Sequence, residues 1–182
     1  MLECSAMVND KICAGSSSPA WQSCGAGHVA VYGTLRAGGV NDIARLRPGI
    51  VPLGTTVLTG TLHDLGAYPG LSLAGTQPVQ AEVYAIDPAL EQRLDGIEGL
   101  WPEDVGEYAK RLLDLPVALA GGGVRTLRVL VYEALPPALR GTPVIAASDW
   151  LAWFAQTGRA APGGAFQLRS HGEESSSMLP KK

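Results

Sequence analysis

The chain has 182 residues and a formal charge of −3, with 46 % hydrophobic and 17 % charged residues. This balance fits one compact domain with ragged ends and excludes a disordered chain; no basic patch suits nucleic acid or anionic lipid. With 23 Gly and 13 Pro, many short elements are favoured over long helices.

Residues 1–27 are Ser-, Gly- and Ala-rich without periodicity and read as a flexible extension. No basic start with an apolar block marks a signal peptide, and no window is long enough for a membrane span. Cys4, Cys13 and Cys24 all fall here, in no common zinc spacing. An odd cysteine count without an export signal suggests reduced thiols and a cytoplasmic protein. Residues 28–168 form the expected folded domain, and 169–182 a flexible polar tail.

The domain opens with "HVAVYGTLRAGGV", His28 to Val40. A strand runs into a Tyr32-Gly33-Thr34-Leu35 turn, where consecutive backbone N–H groups can be left unpaired. Gly33 permits backbone angles and close approaches that a Cβ forbids. Such a turn can cradle a carboxylate or a developing oxyanion. It also fits an ordinary strand-to-helix turn with Arg36 in solvent. A short helix is expected around Asn41 to Leu46.

Next come alternating strands. Thr55 to Leu65 places Val57, Thr59, Thr61 and His63 on one face, and Val79 to Ile86 places Glu82 beside Tyr84 and Ile86. Glu82 is expected to face a barrel interior as a hydrogen-bonded structural carboxylate. Segments "YAKRLLDLPVAL" and "VRTLRVLVYEA" flank Gly121-Gly122-Gly123 and read as a hairpin. The loop between the first two carries Tyr68; His63, Tyr108 and Arg111 serve either packing or ligand contact.

Two helices stand out. "DPALEQRLDGIEG" has Asp87 to cap it, Pro88 at its first position and Gly99 to end it. Leu90, Leu94 and Ile97 form its apolar stripe. At 3.6 residues per turn Glu98 falls about 80° from Leu90, on the stripe's border, and Asp95 about 140°, further toward water. Partial burial and the negative helix end both raise the pKa of such a Glu98 carboxyl, as a general acid or base requires. Read on spacing alone, both acids also fit a solvated helix end. The second helix, "SDWLAWFAQTG", takes Ser148 as cap and Gly158 as stop, burying Trp150, Leu151 and Phe154.

No G-x-S-x-G elbow, Walker loop, H-E-x-x-H or dinucleotide fingerprint is present. Composition and pattern therefore reach an α+β domain, a small mostly antiparallel β-barrel flanked by a few short helices, with a possible anion-binding turn.

In combination and order, "VYGTLRAGG", "YPGL", "VQAEVYAID", "LDGIEG", "EYAKR", "VLVYEA" and "DWLAWF" resemble the γ-glutamylcyclotransferase-like family over about Val29 to Phe154. The resemblance implies cyclisation of a γ-glutamyl group to 5-oxoproline with release of an amine or amino acid. It implies Glu98 as acid/base, Tyr32, Gly33, Thr34 and Leu35 as the substrate-binding turn, and Tyr108 as a further substrate contact. It implies no cofactor and no metal, a small-molecule partner, and neither nucleic acid nor membrane; assembly state stays open. Two departures stand out: Ala81 precedes Glu82, and Tyr108 is followed by Ala109, Lys110 and Arg111, leaving the cation's register open. The acidic stretch "LWPEDVGE" would favour an amine-bearing leaving group if it borders the site. The alternatives are a non-catalytic small-acid-binding or interaction module of the same fold, and a biosynthetic tailoring enzyme removing a γ-glutamyl protecting group.

Overall fold

The computed structural model describes residues 20–160. Cys4, Cys13, most of the expected extension and the whole expected tail lie outside the described residues.

Six strands form, β1 (His28–Val31), β2 (Gly54–Asp64), β3 (Pro69–Ala85), β4 (Tyr108–Leu119), β5 (Val124–Ala134) and β6 (Val144–Ile145). Their order is β3-β1-β5-β4-β2-β6, and a further β2–β3 pairing closes the first five into a barrel. β1 and β5 run parallel and the other pairs antiparallel, so the barrel is mixed. Closure leaves no free edge among the five strands. The 17-residue β3 makes this possible: its last residues pair with β1 on one side and β2 on the other. The glycine triplet turns the β4–β5 hairpin, with Gly122 and Gly123 in the left-handed region.

Two apolar cores follow from strand alternation. Inside the barrel lie Ala30, Leu58, Leu62, Leu71, Val83 and Val129, with Trp150 among them. Outside it, Val29, Val31, Tyr84 and Leu130 pack under Leu90 and Leu94 of helix α1 (Pro88–Ile97). The β2 face carrying Val57 and Thr59 points to solvent, and Thr56, Leu58 and Leu62 point inward. Glu82 belongs to the outer face with Tyr84, whereas its neighbours Ala81 and Val83 face inward. The expectation that it enters the barrel is corrected by this parity: one residue's shift reverses every side chain.

Helix α1 forms as its ends dictate: the Asp87 carboxylate accepts from the Leu90 N–H, and Gly99 adopts φ +72° just past the helix. The short helix after the opening turn is a 3₁₀ turn at Ile43–Arg45, capped by Asp42. A four-residue helix α2 (Pro136–Leu139) precedes β6, and α3 (Trp150–Gln156) ends the described fold. The cap of α3 is Asp149, whose carboxylate accepts from the Ala152 N–H, rather than Ser148. Both residue types cap well; Ser148 is instead drawn to the sheet, where its carbonyl accepts from the Gln80 N–H. Among the described residues no helix is long and apolar enough to cross a membrane.

Candidate active site

β1 delivers its last residue into the turn beside the barrel. Tyr32 turns inward and is buried; its hydroxyl donates to the Tyr132 carbonyl at 2.8 Å and accepts from the Leu71 N–H at 3.3 Å. Gly33 lies against the Pro69 ring, where a Cβ would stand 2.6 Å from Cγ. The turn's carbonyls are consumed by the loop that follows: the N–H groups of Arg36, Asn41 and Ile43 donate to the carbonyls of Gly33, Thr34 and Leu35. The Thr34 hydroxyl oxygen accepts from Asn41 Nδ2 at 3.2 Å. Among the described residues, no acceptor meets the N–H groups of Gly33, Thr34 and Leu35. The turn therefore has a saturated acceptor side and an unspent donor side.

Arg36 is not in solvent. Its guanidinium lies 3.2 Å from Glu82 and 2.9 Å from Asp149, with its side chain 12 % exposed. Glu82 also accepts from the Ala37 N–H and the Tyr84 hydroxyl. The expected structural role of Glu82 is met on the outer face: it fastens the loop after the turn to β3. Asp149 ties the same guanidinium to the start of α3.

Glu98 caps the C-terminal end of α1, its N–H donating to the Leu94 carbonyl. It keeps some solvent contact. Burial, then the charges of Glu107 and Asp95, push its carboxyl up to about 8. Burial likewise lifts the hydroxyls of Tyr32, Tyr108 and Tyr132, and the Glu98 charge contributes to all three. Electrostatic influence of this kind falls off with distance, so Glu98 shares one neighbourhood with the end of β1, the start of β4 and the end of β5. Tyr108 completes the convergence, its hydroxyl donating to the Pro69 carbonyl at 2.9 Å. Pro69 is thus gripped by Gly33 on one side and Tyr108 on the other.

An open cleft of about 510 Å³ adjoins this cluster, lined in part by Asp64, Leu65, Tyr68, Val105, Glu107 and Pro137. Tyr32 to Leu35, Glu98 and Tyr108 are not among its lining residues. Tyr68 and Glu107 line it and immediately precede Pro69 and Tyr108, so the cleft and the cluster are joined through two backbone neighbours.

Several residues surprise the helical wheel. Asp95, expected toward water, is 2 % exposed, and Glu91 is 0 % exposed. Lys110 Nζ reaches both, at 2.8 Å each. Asp95 also accepts from the Tyr132 hydroxyl at 2.8 Å and Trp21 Nε1 at 2.7 Å. The Ser23 hydroxyl and the Cys24 N–H donate to Glu91. Part of the segment before β1 therefore packs onto α1, and Cys24 is partly buried with its thiol pushed up by burial. The available signal was the i, i+4 pair Glu91 and Asp95 with a lysine two residues after Tyr108, on the same strand face. That also decides the cation's register: Lys110 faces α1, and Arg111 pairs with Glu133 at the surface. His63 meets the Thr142 hydroxyl and stays outside the cluster. Among the described residues no group of His, Cys, Asp and Glu is arranged to hold a metal ion.

The family described as "Gamma-glutamyl cyclotransferase, AIG2-like" matches residues 29–152, the span from β1 into α3. The chain belongs to that family. A curated Vibrio cholerae protein named "Putative gamma-glutamylcyclotransferase" is 38 % identical over 93 residues, covering 50 % of this chain and 76 % of its own. An AIG2-like protein from Mus musculus superposes with a TM-score of 0.51 at 22 % identity, over 68 % of this chain and 88 % of that one. The ytfP protein from Escherichia coli is 28 % identical at a TM-score of 0.48, over 70 % and 98 %. The mouse structure shares the fold of a closed mixed barrel with short helices. The motifs that carried the resemblance fall on β1 and the turn after it, on β3, on α1 and its C-terminal end, on β4 and β5, and on α3.

Proposed function

We propose that the domain cyclises a γ-glutamyl group to 5-oxoproline and releases an amine or amino acid, with Glu98 as acid/base. What supports this reading is the Glu98 carboxyl, pushed up by burial to about 8 and close enough to Tyr32 to act on its hydroxyl, together with the unspent N–H donors of the turn that starts there. The substrate's own α-amine is the nucleophile, so the protein needs no serine or cysteine for attack. Glu98 as carboxylate takes a proton from the α-ammonium. The freed amine attacks the γ-carbonyl carbon, forming the ring C–N bond and an oxyanion. Glu98 then returns a proton to the departing nitrogen as its bond to carbon breaks.

The turn from Tyr32 to Leu35 is proposed to hold the glutamyl carboxylate and to meet the oxyanion with its N–H groups. Folding the glutamyl chain so that amine and carbonyl meet is the larger contribution, because ring closure gains most from positioning. Tyr108 holds Pro69, and through it Gly33, in place. The adjoining cleft is proposed to receive the leaving group. Its acids are Glu107 and Asp64, the latter paired with Arg159 at 3.0 Å, and the negative charge left over is proposed to favour an amine-bearing leaving group over an acidic one.

The test is a panel of γ-glutamyl amines and peptides assayed for 5-oxoproline. Turnover by the wild type and none by Glu98→Gln is expected. A panel without turnover but with measurable binding would favour the non-catalytic alternative. Faster cleavage of γ-glutamylated polyamines or aminoglycosides than of dipeptides would favour the tailoring role.

A further inference from the structure

Helix α1 presents three acids at successive turns, Glu91, Asp95 and Glu98, and only the last has a place in the chemistry above. The first two are completely or almost completely buried. They share one ammonium, Lys110, so the group of three carries more negative than positive charge. Asp95 is held from three elements: Lys110 on β4, Tyr132 on β5 and Trp21 from the segment before β1. A buried carboxylate with this many donors is fixed in orientation, and its charge is poorly screened by solvent.

We propose that Asp95 is a positioning residue for Glu98: clamped by Lys110, Tyr132 and Trp21, it holds a fixed negative charge one helical turn from the Glu98 carboxyl. This rests on the reading of Glu98 as acid/base. The effect on the site is that Glu98 stays a ready proton carrier near neutral pH instead of a permanently ionised acid. Every titratable group around Glu98 enters the balance. Glu107 from the loop before β4 works in the same direction as Asp95, and burial exceeds both. Tyr32, Tyr108 and Tyr132 surround it with hydroxyls that burial holds neutral. Lys110 faces Asp95 and Glu91, and the Cys24 N–H donates to Glu91. The segment before β1 thereby becomes part of the site's support.

The test uses the full chain labelled with ¹³C at glutamate carboxyls and titrated by NMR; the resonance missing from Glu98→Gln identifies Glu98. Its midpoint in the wild type is expected near 8. In Asp95→Asn it should fall by roughly half a pH unit or more, because a like charge nearby is gone. The limb of the kcat/KM profile governed by Glu98 should move down with it, once a turned-over γ-glutamyl compound is in hand. The amide fits the cage: its oxygen can face Lys110 and Trp21 while its nitrogen donates to the Tyr132 hydroxyl. Trp21→Phe removes one hydrogen bond and no charge, so its midpoint should stay at the wild-type value.

An unmoved midpoint in folded Asp95→Asn, or an equal displacement in Trp21→Phe, would overturn the proposal. Should Asp95→Asn not fold, Lys110→Gln removes the compensating ammonium and leaves the Asp95 charge, and must move the Glu98 midpoint upward; an unmoved or lowered midpoint there would overturn the proposal. Full activity in Glu98→Gln would remove the acid/base role while leaving the titration result to stand or fall separately.

Discussion

In the proposed reaction Glu98 and Gly33 carry the most weight, and each makes a different physical demand. For that role Glu98 has to be partly dry yet reachable, and α1 presents it as its C-terminal cap, with Gly99 at φ +72° turning the chain away. Gly33 has to be bare because the Pro69 ring occupies the space of a side chain. Gly33→Ala should therefore displace either the turn or Pro69. Overpacking of this kind costs about 1–3 kcal/mol, and the rate should fall by more than that loss of folded protein explains. Chemical unfolding alongside kcat/KM would separate the two; unchanged kinetics would show that the turn does not hold substrate. The isosteric Glu98→Gln should lose turnover while keeping the fold by circular dichroism.

Among the elements, the loop after β1 and helix α3 are coupled through Arg36, which meets Glu82 and Asp149. Its removal leaves two partly buried carboxylates facing one another, so Arg36→Ala should destabilise by about 1–3 kcal/mol. KM should rise more than kcat falls, because the turn loses its fastening while Glu98 is untouched. A kcat loss with KM unchanged would contradict that role. Helix α1 and the β4–β5 hairpin could be read in advance because their signals are local: Asp87, Pro88 and Gly99 at the helix ends, and Gly121 to Gly123 between alternating strands. The cap of α3 could not, since Ser148 and Asp149 have equal local merit and the choice follows from where β3 draws the Ser148 carbonyl. The same limit applies to Asp95. A helical wheel knows one apolar partner surface, and here a second covering, Trp21 to Cys24, closes over the flank of α1.

For the whole molecule, a carboxyl raised from 4.5 to about 8 links folding to pH. Below 4.5 both folded and unfolded chains hold the proton. Between 4.5 and 8 the unfolded chain releases it and the folded one keeps it, so this contribution weakens as pH rises and levels off above 8. The ceiling is about 5 kcal/mol, reduced by the solvent contact Glu98 retains. Glu98→Gln should match the wild type in urea at about pH 4 and exceed its stability at pH 8. A difference that does not grow with pH would mean the carboxyl is not held up in the folded state. The cleft adds a second expectation at this scale. With Asp64 paired to Arg159, the negative charge remaining in the cleft should make γ-glutamyl compounds with cationic leaving groups turn over faster than those with acidic ones, and the advantage should shrink with added salt.

Element types, the helix caps at Asp87 and Gly99, the hairpin, and the motifs resembling one family were all readable from neighbouring residues, because propensity, capping and alternation act over a few positions. Barrel closure was not, since it depends on β3 being long enough to pair on both edges and on β1 lying parallel to β5. Nor was the company kept by Glu98. Its neighbours come from β1, β4, β5 and a loop, and only folding decides which distant charges share a low-dielectric space and which face of a strand turns inward.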